Sequence, residues 1–205
     1  MAKVVLLNGS PHKEGCTYTA LREVEKTLIE GGIETELLWL GNGPVRDCIG
    51  CHGCRDSRRC VFDDDICNEI IDKAAGCAGF VFGTPVYYAH ANGRILSILD
   101  RVFYAGGRNF VHKPGAAVCS ARRGGTTATF DVMNKYFTIT QMPVVGSSYW
   151  NAVHGNTPAE VLQDAEGLQT MRNLGRNMAW LLQCIERSGI PAPKGEFGSW
   201  TNFIR

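Results

Sequence analysis

No run of apolar residues in this 205-residue chain approaches the roughly 20 that a membrane helix needs, so a membrane partner is not expected. Charge of one sign is missing too. The 21 Lys and Arg against 20 Asp and Glu leave a formal net charge of +1, which gives no electrostatic ground for binding nucleic acid or acidic membranes. The apolar stretch Val4 to Leu7 is too short for a signal peptide. Internal repeats and low-complexity linkers are absent, so one domain with a sizeable core is expected at this length. A small-molecule ligand and a cytoplasmic location are the corresponding expectations.

Cysteine, by contrast, is plentiful. Nine is an odd number in a chain too large to depend on disulfides, which points to reduced thiols. Four of the nine lie within thirteen residues, from Cys48 to Cys60, a density that favours metal ligation or redox chemistry over scattered core thiols.

The apolar pattern reads as strands alternating with helices. Val4 to Leu7 forms a short run that ends at Asn8-Gly9-Ser10-Pro11, as expected for a strand buried on both faces. Leu21, Val24 and Leu28 then repeat at helical spacing, with Thr17 as a candidate cap and Gly31-Gly32 as the stop. Ile33, Thr35, Leu37 and Trp39 alternate as a second strand. Further strands are predicted at Phe80 to Phe82, Ala116 to Cys119 and Val144 to Ser147, between helices carrying Ile66 to Ala74, Ile95 to Val102 and Phe130 to Phe137. A long helix from Leu168 to Ile185 closes the series at Gly189 and Pro191. Five strands so interleaved imply an α/β, doubly wound parallel sheet with helices on both faces. Ligands bind such sheets beyond the carboxyl ends of the strands, so the loops at 9 to 17, 84 to 93 and 120 to 127 should converge.

The first of these loops, Gly9-Ser10-Pro11-His12-Lys13-Glu14-Gly15-Cys16-Thr17, joins a strand to a helix. Free amides and the helix dipole make an anion site there. Neither the dinucleotide fingerprint Gly-x-Gly-x-x-Gly nor the Lys-Ser/Thr of a nucleotide P-loop is present. Cys16 and Arg22 have the Cys-x5-Arg spacing of a phosphatase loop, but the intervening TYTAL lacks glycine and reads as helix. Pro85, Val86, Tyr87 and Tyr88 leave the third strand with flat apolar groups and backbone donors, suited to an aromatic ring system. Ser120, Arg122, Arg123, Gly124 and Gly125 supply two guanidiniums on a flexible turn, for an anionic ring or a dinucleotide phosphate. The segment Ser148 to Gly155, with Tyr149, Trp150, Asn151 and His154, could wall a substrate pocket or pack at a dimer contact.

Cys48-x2-Cys51-x2-Cys54-x5-Cys60 has three cysteines at every third residue and a fourth to close them, as in ferredoxin-type [4Fe-4S] ligation. Structural zinc usually takes two cysteine pairs separated by a longer loop, so the spacing argues for iron. Reduced thiols or a disulfide are the alternative. Cys67, Cys77, Cys119 and Cys184 fall within helix or strand patterns, where a buried small hydrophobe is the expected role.

Taken together, GSPHKEGCT, GTPVYYAHANGRILSILDR and CSARRGGTT resemble the NAD(P)H-dependent FMN reductase and iron-sulfur flavoprotein family of the flavodoxin-like superfamily, over most of residues 3 to 190. The resemblance implies a five-stranded sheet in the order 2-1-3-4-5, an FMN-binding domain over 1-190 with the cysteine-rich loop at 48-60, and a tail at 191-205. It also implies that Ser10, His12, Gly15, Cys16 and Thr17 surround the FMN phosphate, although Cys16 stands where Asn is frequent. The loop after the third strand would flank the flavin, and the four cysteines would hold a [4Fe-4S] cluster. Electrons would pass from NAD(P)H or a reduced carrier through FMN to a small acceptor such as a quinone or a flavin. The alternative is an electron carrier serving ferredoxin-like partners. No catalytic side chain is assigned, because the flavin carries the chemistry and no histidine forms a triad with Ser or Cys. A homodimer or homotetramer is expected, with the aromatic tail Gly198 to Ile204 available to it.

Overall fold

The computed structural model describes residues 2–201 and Phe203. Strand β1 (Lys3–Asn8) is followed by α1 (Cys16–Glu30), β2 (Glu34–Trp39) and a long excursion that holds only the short α2 (Cys54–Ser57). Then come α3 (Cys67–Gly76), β3 (Gly79–Tyr87), the two-residue β4 (His90–Ala91) and α4 (Gly93–Gly106). The chain closes with β5 (Gly115–Ala121), α5 (Thr126–Ile139), β6 (Ala152–His154), α6 (Pro158–Val161) and α7 (Ala165–Ser188).

The five parallel strands run in the spatial order β2-β1-β3-β5-β6, while β4 turns back antiparallel onto the end of β3. Leaving that hairpin return aside, this is the predicted order 2-1-3-4-5.

Because side chains alternate along a strand, the central strands feed two separate cores. Val5, Leu7, Phe80, Phe82 and Ala117 face α3, α4 and α5. Val4, Leu6, Val81, Ala116 and Val118 face α1 and α7. The first core is aromatic: Phe80 stacks on Phe110 with ring centres 4.6 Å apart, and Phe82 meets Phe137 at 5.5 Å. Each fully buried ring contributes about 1.5–3 kcal/mol by removal from water. That burial on both faces explains why β1, β3 and β5 read as unbroken apolar runs.

Three sequence expectations require correction. The fifth strand lies at Ala152–His154 rather than Val144 to Ser147. Val144 and Val145 do begin the same edge, since Val145 N donates to Gly115 O at 2.9 Å. The Ser147 hydroxyl then bonds Tyr149 O and Asn151 Oδ1, both at 2.6 Å, and this local side-chain bonding draws 146–151 out of the ladder. Thr17 does not cap α1: the cap is Gly15, without a side-chain bond, and Thr17 lies inside the first turn. Cys67, Cys77 and Cys119 are buried as expected, but Cys184 is exposed on the outer side of α7.

Within the aromatic tail, Asn202 and Ile204 lie outside the described residues, while Trp200 and Phe203 are exposed. Among the described residues no helix is long and apolar enough to cross a membrane.

Candidate functional site

At the carboxyl edge of the sheet, Asn8 closes the loop between β1 and α1. Its Oδ1 accepts from Ser10 N at 3.0 Å and its Nδ2 donates to Lys13 O at 2.9 Å. Ser10 Oγ accepts from His12 N at 3.1 Å, and Trp39 Nε1 donates to Ser10 O at 2.8 Å. The loop thus returns on itself and delivers the chain to Gly15. With no side chain at the cap, the first-turn amides of Cys16, Thr17 and Tyr18 lack a capping acceptor, the arrangement that receives a phosphate. Cys16 Sγ turns to Gly155 O at 3.7 Å, and burial raises its pKa, so this thiol is a packed neutral group. Arg22 is exposed and pairs with Glu25. With the helix beginning at Cys16, the Cys-x5-Arg spacing does not make a phosphatase loop.

The two other loops meet this one. Thr17 Oγ1 and Ser120 Oγ are 2.8 Å apart and buried, and Pro85 pairs with Ser120 across β3 and β5. Beyond Pro85 the chain forms a two-residue hairpin turn at Tyr88 (φ 50°) and Ala89 (φ 58°), the double positive φ of a type I′ turn. Non-glycine residues carry strain there, and Tyr88 is fully exposed. Gly125 sits against this hairpin with φ 92°, where an added Cβ would strike Ala89 and come within 2.8 Å of Val86 Cγ1. Only glycine fits both that conformation and that contact. Gly125 also leaves the start of α5 without a side-chain cap, giving this edge a second set of open amides. Arg122, Arg123 and Gly124 are exposed, and among the described residues neither arginine forms a side-chain hydrogen bond or an ion pair.

Ser10, Gly15, Thr17, Pro85, Val86, Ser120 and Gly125 are therefore drawn to one edge. His12, Tyr87, Tyr88, Arg122 and Arg123 stand at its solvent side. The segment leading into the edge strand is adjacent: Tyr149 and Trp150 meet edge to face at 4.5 Å beside a pocket that Thr126, His154 and Asp164 also line.

The four cysteines form a separate site on the excursion after β2. Cys48, Cys51, Cys54 and Cys60 all line one cavity, together with Val61, Phe62, Tyr104 and Arg101. The chain folds around it through Gly50 (φ 63°), His52 (φ 58°) and Arg58 (φ 58°). Asn68 holds the last ligand candidate in place, accepting from Cys60 N at 2.8 Å and donating to Cys60 O at 3.0 Å. Arg101, 2% exposed on α4, donates from Nε to Cys60 Sγ at 3.2 Å and pairs with Asp65. Burial works against the Arg101 charge, but its bonds to Asp65 and Cys60 carry its pKa upward all the same. Among the described residues no three His, Cys, Asp or Glu stand close enough to share a single metal ion. The four thiols that line the cavity match, in type and number, the ligands of a cluster that takes one thiolate per iron.

Asn8, Trp39, Asn68 and Arg101 were not singled out by sequence reasoning. Arg101 left a trace, since it falls on the buried face of a helix between Ile98 and Ala105, where a charged residue requires a partner. Asn8 bonds the backbone of its own turn, as Asn commonly does, whereas Trp39 and Asn68 take part through contacts that residue spacing does not encode.

The family model for NADPH-dependent FMN reductase matches residues 2–157. An iron-sulfur flavoprotein of Methanocaldococcus jannaschii is 33% identical over 193 residues, covering 90% of this chain and all of the relative. Among solved structures, RosB with bound 8-demethyl-8-formylriboflavin-5'-phosphate superposes with a TM-score of 0.71 at 13% identity, covering all of this chain and 93% of that one. An archaeal flavodoxin superposes with a TM-score of 0.60 at 12% identity over 89% of this chain and 99% of its own.

Proposed function

Because this chain belongs to the NADPH-dependent FMN reductase family, with iron-sulfur flavoproteins as homologues on a flavodoxin-like fold, we propose that it is a flavoenzyme that takes electrons from NAD(P)H or a reduced carrier and passes them to an acceptor, with a [4Fe-4S] cluster in its cysteine cavity. The observation that carries this reading is the meeting of three loops at one sheet edge around the uncapped start of α1. FMN, when bound, supplies the centre that accepts a hydride or single electrons.

The chain's own part is binding and tuning. Ser10, His12, Gly15, Cys16 and Thr17 would hold the phosphate, largely through backbone amides and the α1 dipole. Pro85, Val86, Tyr87 and Tyr88 would flank the ring, and the strained hairpin fixes their position against Gly125. Ser120, Gly124 and Gly125 would line the adjoining loop, where Arg122 and Arg123 bring positive charge to a reduced ring or to a dinucleotide phosphate. Cys48, Cys51, Cys54 and Cys60 would ligate the cluster, which adds one-electron capacity beside the flavin.

The four-thiol cavity also favours a second reading, an electron carrier whose partners are redox proteins. One experiment tests both: an absorption spectrum of anaerobically purified protein, with iron and sulfide analysis, before and after NADH, NADPH and reduced ferredoxin. Rapid bleaching of the flavin by a pyridine nucleotide supports the reductase. Bleaching by ferredoxin alone supports the carrier, and a preparation that binds no flavin overturns both.

A further inference from the structure

Arg101 is the bulkiest fully buried side chain among the described residues, on a helix face where an aliphatic residue would pack without desolvating a charge. Its donors go to the two ends of the cysteine loop. Nη1 reaches Asp65 and, at 3.3 Å, Arg46 O, just before Cys48. Nη2 reaches Phe62 O at 3.2 Å, just after Cys60, and Nε points to Cys60 Sγ at 3.2 Å.

A structural staple would be complete with the carboxylate and the two carbonyls. The fourth donor is directed at sulfur, which accepts weakly as a neutral thiol and strongly as a thiolate facing a cation. From Gly93, beside the flavin-flanking hairpin, to Arg101 is about 12 Å along α4, so one rigid helix joins the two sites.

We propose that Arg101 is a positioning residue of the four-cysteine site, whose hydrogen bond orients the Cys60 sulfur and raises the reduction potential of the cluster bound there. The inference rests on the cluster reading above. Its physical basis is that positive charge and hydrogen bonds at ligand sulfur favour the more negative, reduced state.

The test compares wild type, R101K, R101Q and R59Q, reconstituted anaerobically with iron and sulfide and titrated electrochemically while cluster and flavin signals are followed separately. Lysine can keep the charge beside Asp65 but cannot also reproduce the guanidinium bond to sulfur. R101K is expected to retain iron and flavin while its cluster midpoint moves negative by about tenfold in the reduction equilibrium, or about 59 mV for one electron. Its flavin midpoint stays in place. R101Q is expected to move further or to lose iron, and if it fails to fold, R101K decides. Arg59 is exposed on the same loop and pairs with Asp72, so R59Q should keep the wild-type midpoint.

An R101K cluster with the wild-type midpoint, or an R59Q shift as large as that of R101K, overturns the inference and leaves the cluster reading standing. A wild-type protein that takes up no iron overturns both.

Discussion

The loop between β1 and α1 and the cysteine loop each connect a strand to a helix, yet they are secured at different ranges. Asn8, Ser10 and Lys13 tie the first with bonds between residues two to five apart, and β1 and β3 beneath it are buried on both faces. Bonds of this range form as the chain turns, at little loop-closure cost. The second spans some twenty-seven residues, 40 to 66, with one short helix, and its ends depend on Arg101, 36 to 55 residues away along the sequence. The short loop is thus tied largely by its own residues, whereas the long one is held by side chains from other helices, Asn68 on α3 and Arg101 on α4.

The largest effect should come from removing the ion pair of Arg101 with Asp65. Asp65→Ala leaves the Arg101 guanidinium buried without its carboxylate, which is expected to cost about 3–5 kcal/mol. Urea unfolding measures the loss, and retained FMN at low urea would show that the damage stays on the cysteine side. Gly125→Ala strikes the opposite region. Its φ of 92° and the adjacent hairpin make the substitution cost about 1–3 kcal/mol, and flavin content after gel filtration should fall while iron uptake is preserved. If iron falls with flavin, the two regions are not independent.

Thiol chemistry sharpens the contrast. Cys51 is exposed and Cys119, on β5, is 2% exposed, with burial pushing its pKa up from 9.0 to about 12. In metal-free folded protein at pH 8, mass-mapped alkylation should label Cys51 quickly and Cys119 only on unfolding. As pH rises past 9 the unfolded chain releases the Cys119 proton before the folded protein does. The stability this thiol contributes is therefore whole below pH 9 and is lost between 9 and 12, at about 1.4 kcal/mol per unit. Chemical denaturation at pH 8 and pH 10 compares the two, and Cys119→Ala should make the difference smaller, with buried Cys67, also pushed up to about 12, still contributing.

The smallest effect concerns the hydroxyl pair that joins the first and third loops. Thr17→Val leaves Ser120 Oγ buried without its partner, for about 1 kcal/mol, while Thr17→Val with Ser120→Ala together should recover most of it. A double-mutant cycle that shows no coupling would remove this contact from the account of how the loops are held.

Much of this was legible without coordinates. Val4 to Leu7, Phe80 to Phe82 and Ala116 to Cys119 announced buried parallel strands because a strand covered on both faces has no polar side to show. Glycine at 15 and 125, hydroxyls at 10, 17 and 120, and the compact cysteine spacing marked the places where chemistry collects. The edge strand was misplaced because Val144 and Val145 carry the apolar signal, while Ser147 and Asn151 compete with the ladder for their own backbone. Thr17 was misread as a cap because an outward hydroxyl and one turned to Ser120 look the same in one dimension.

The sequence by itself determined the doubly wound sheet, its switch-point loops and the identity of the four thiols, since periodicity and residue chemistry are local properties. Only the tertiary structure decided that Thr17 reaches Ser120, that Gly125 seats the Tyr88 hairpin, that all four cysteines share one cavity and that Arg101 answers to Cys60. These contacts join positions tens of residues apart whose meeting depends on how the helices pack, and helix packing leaves no period in the chain.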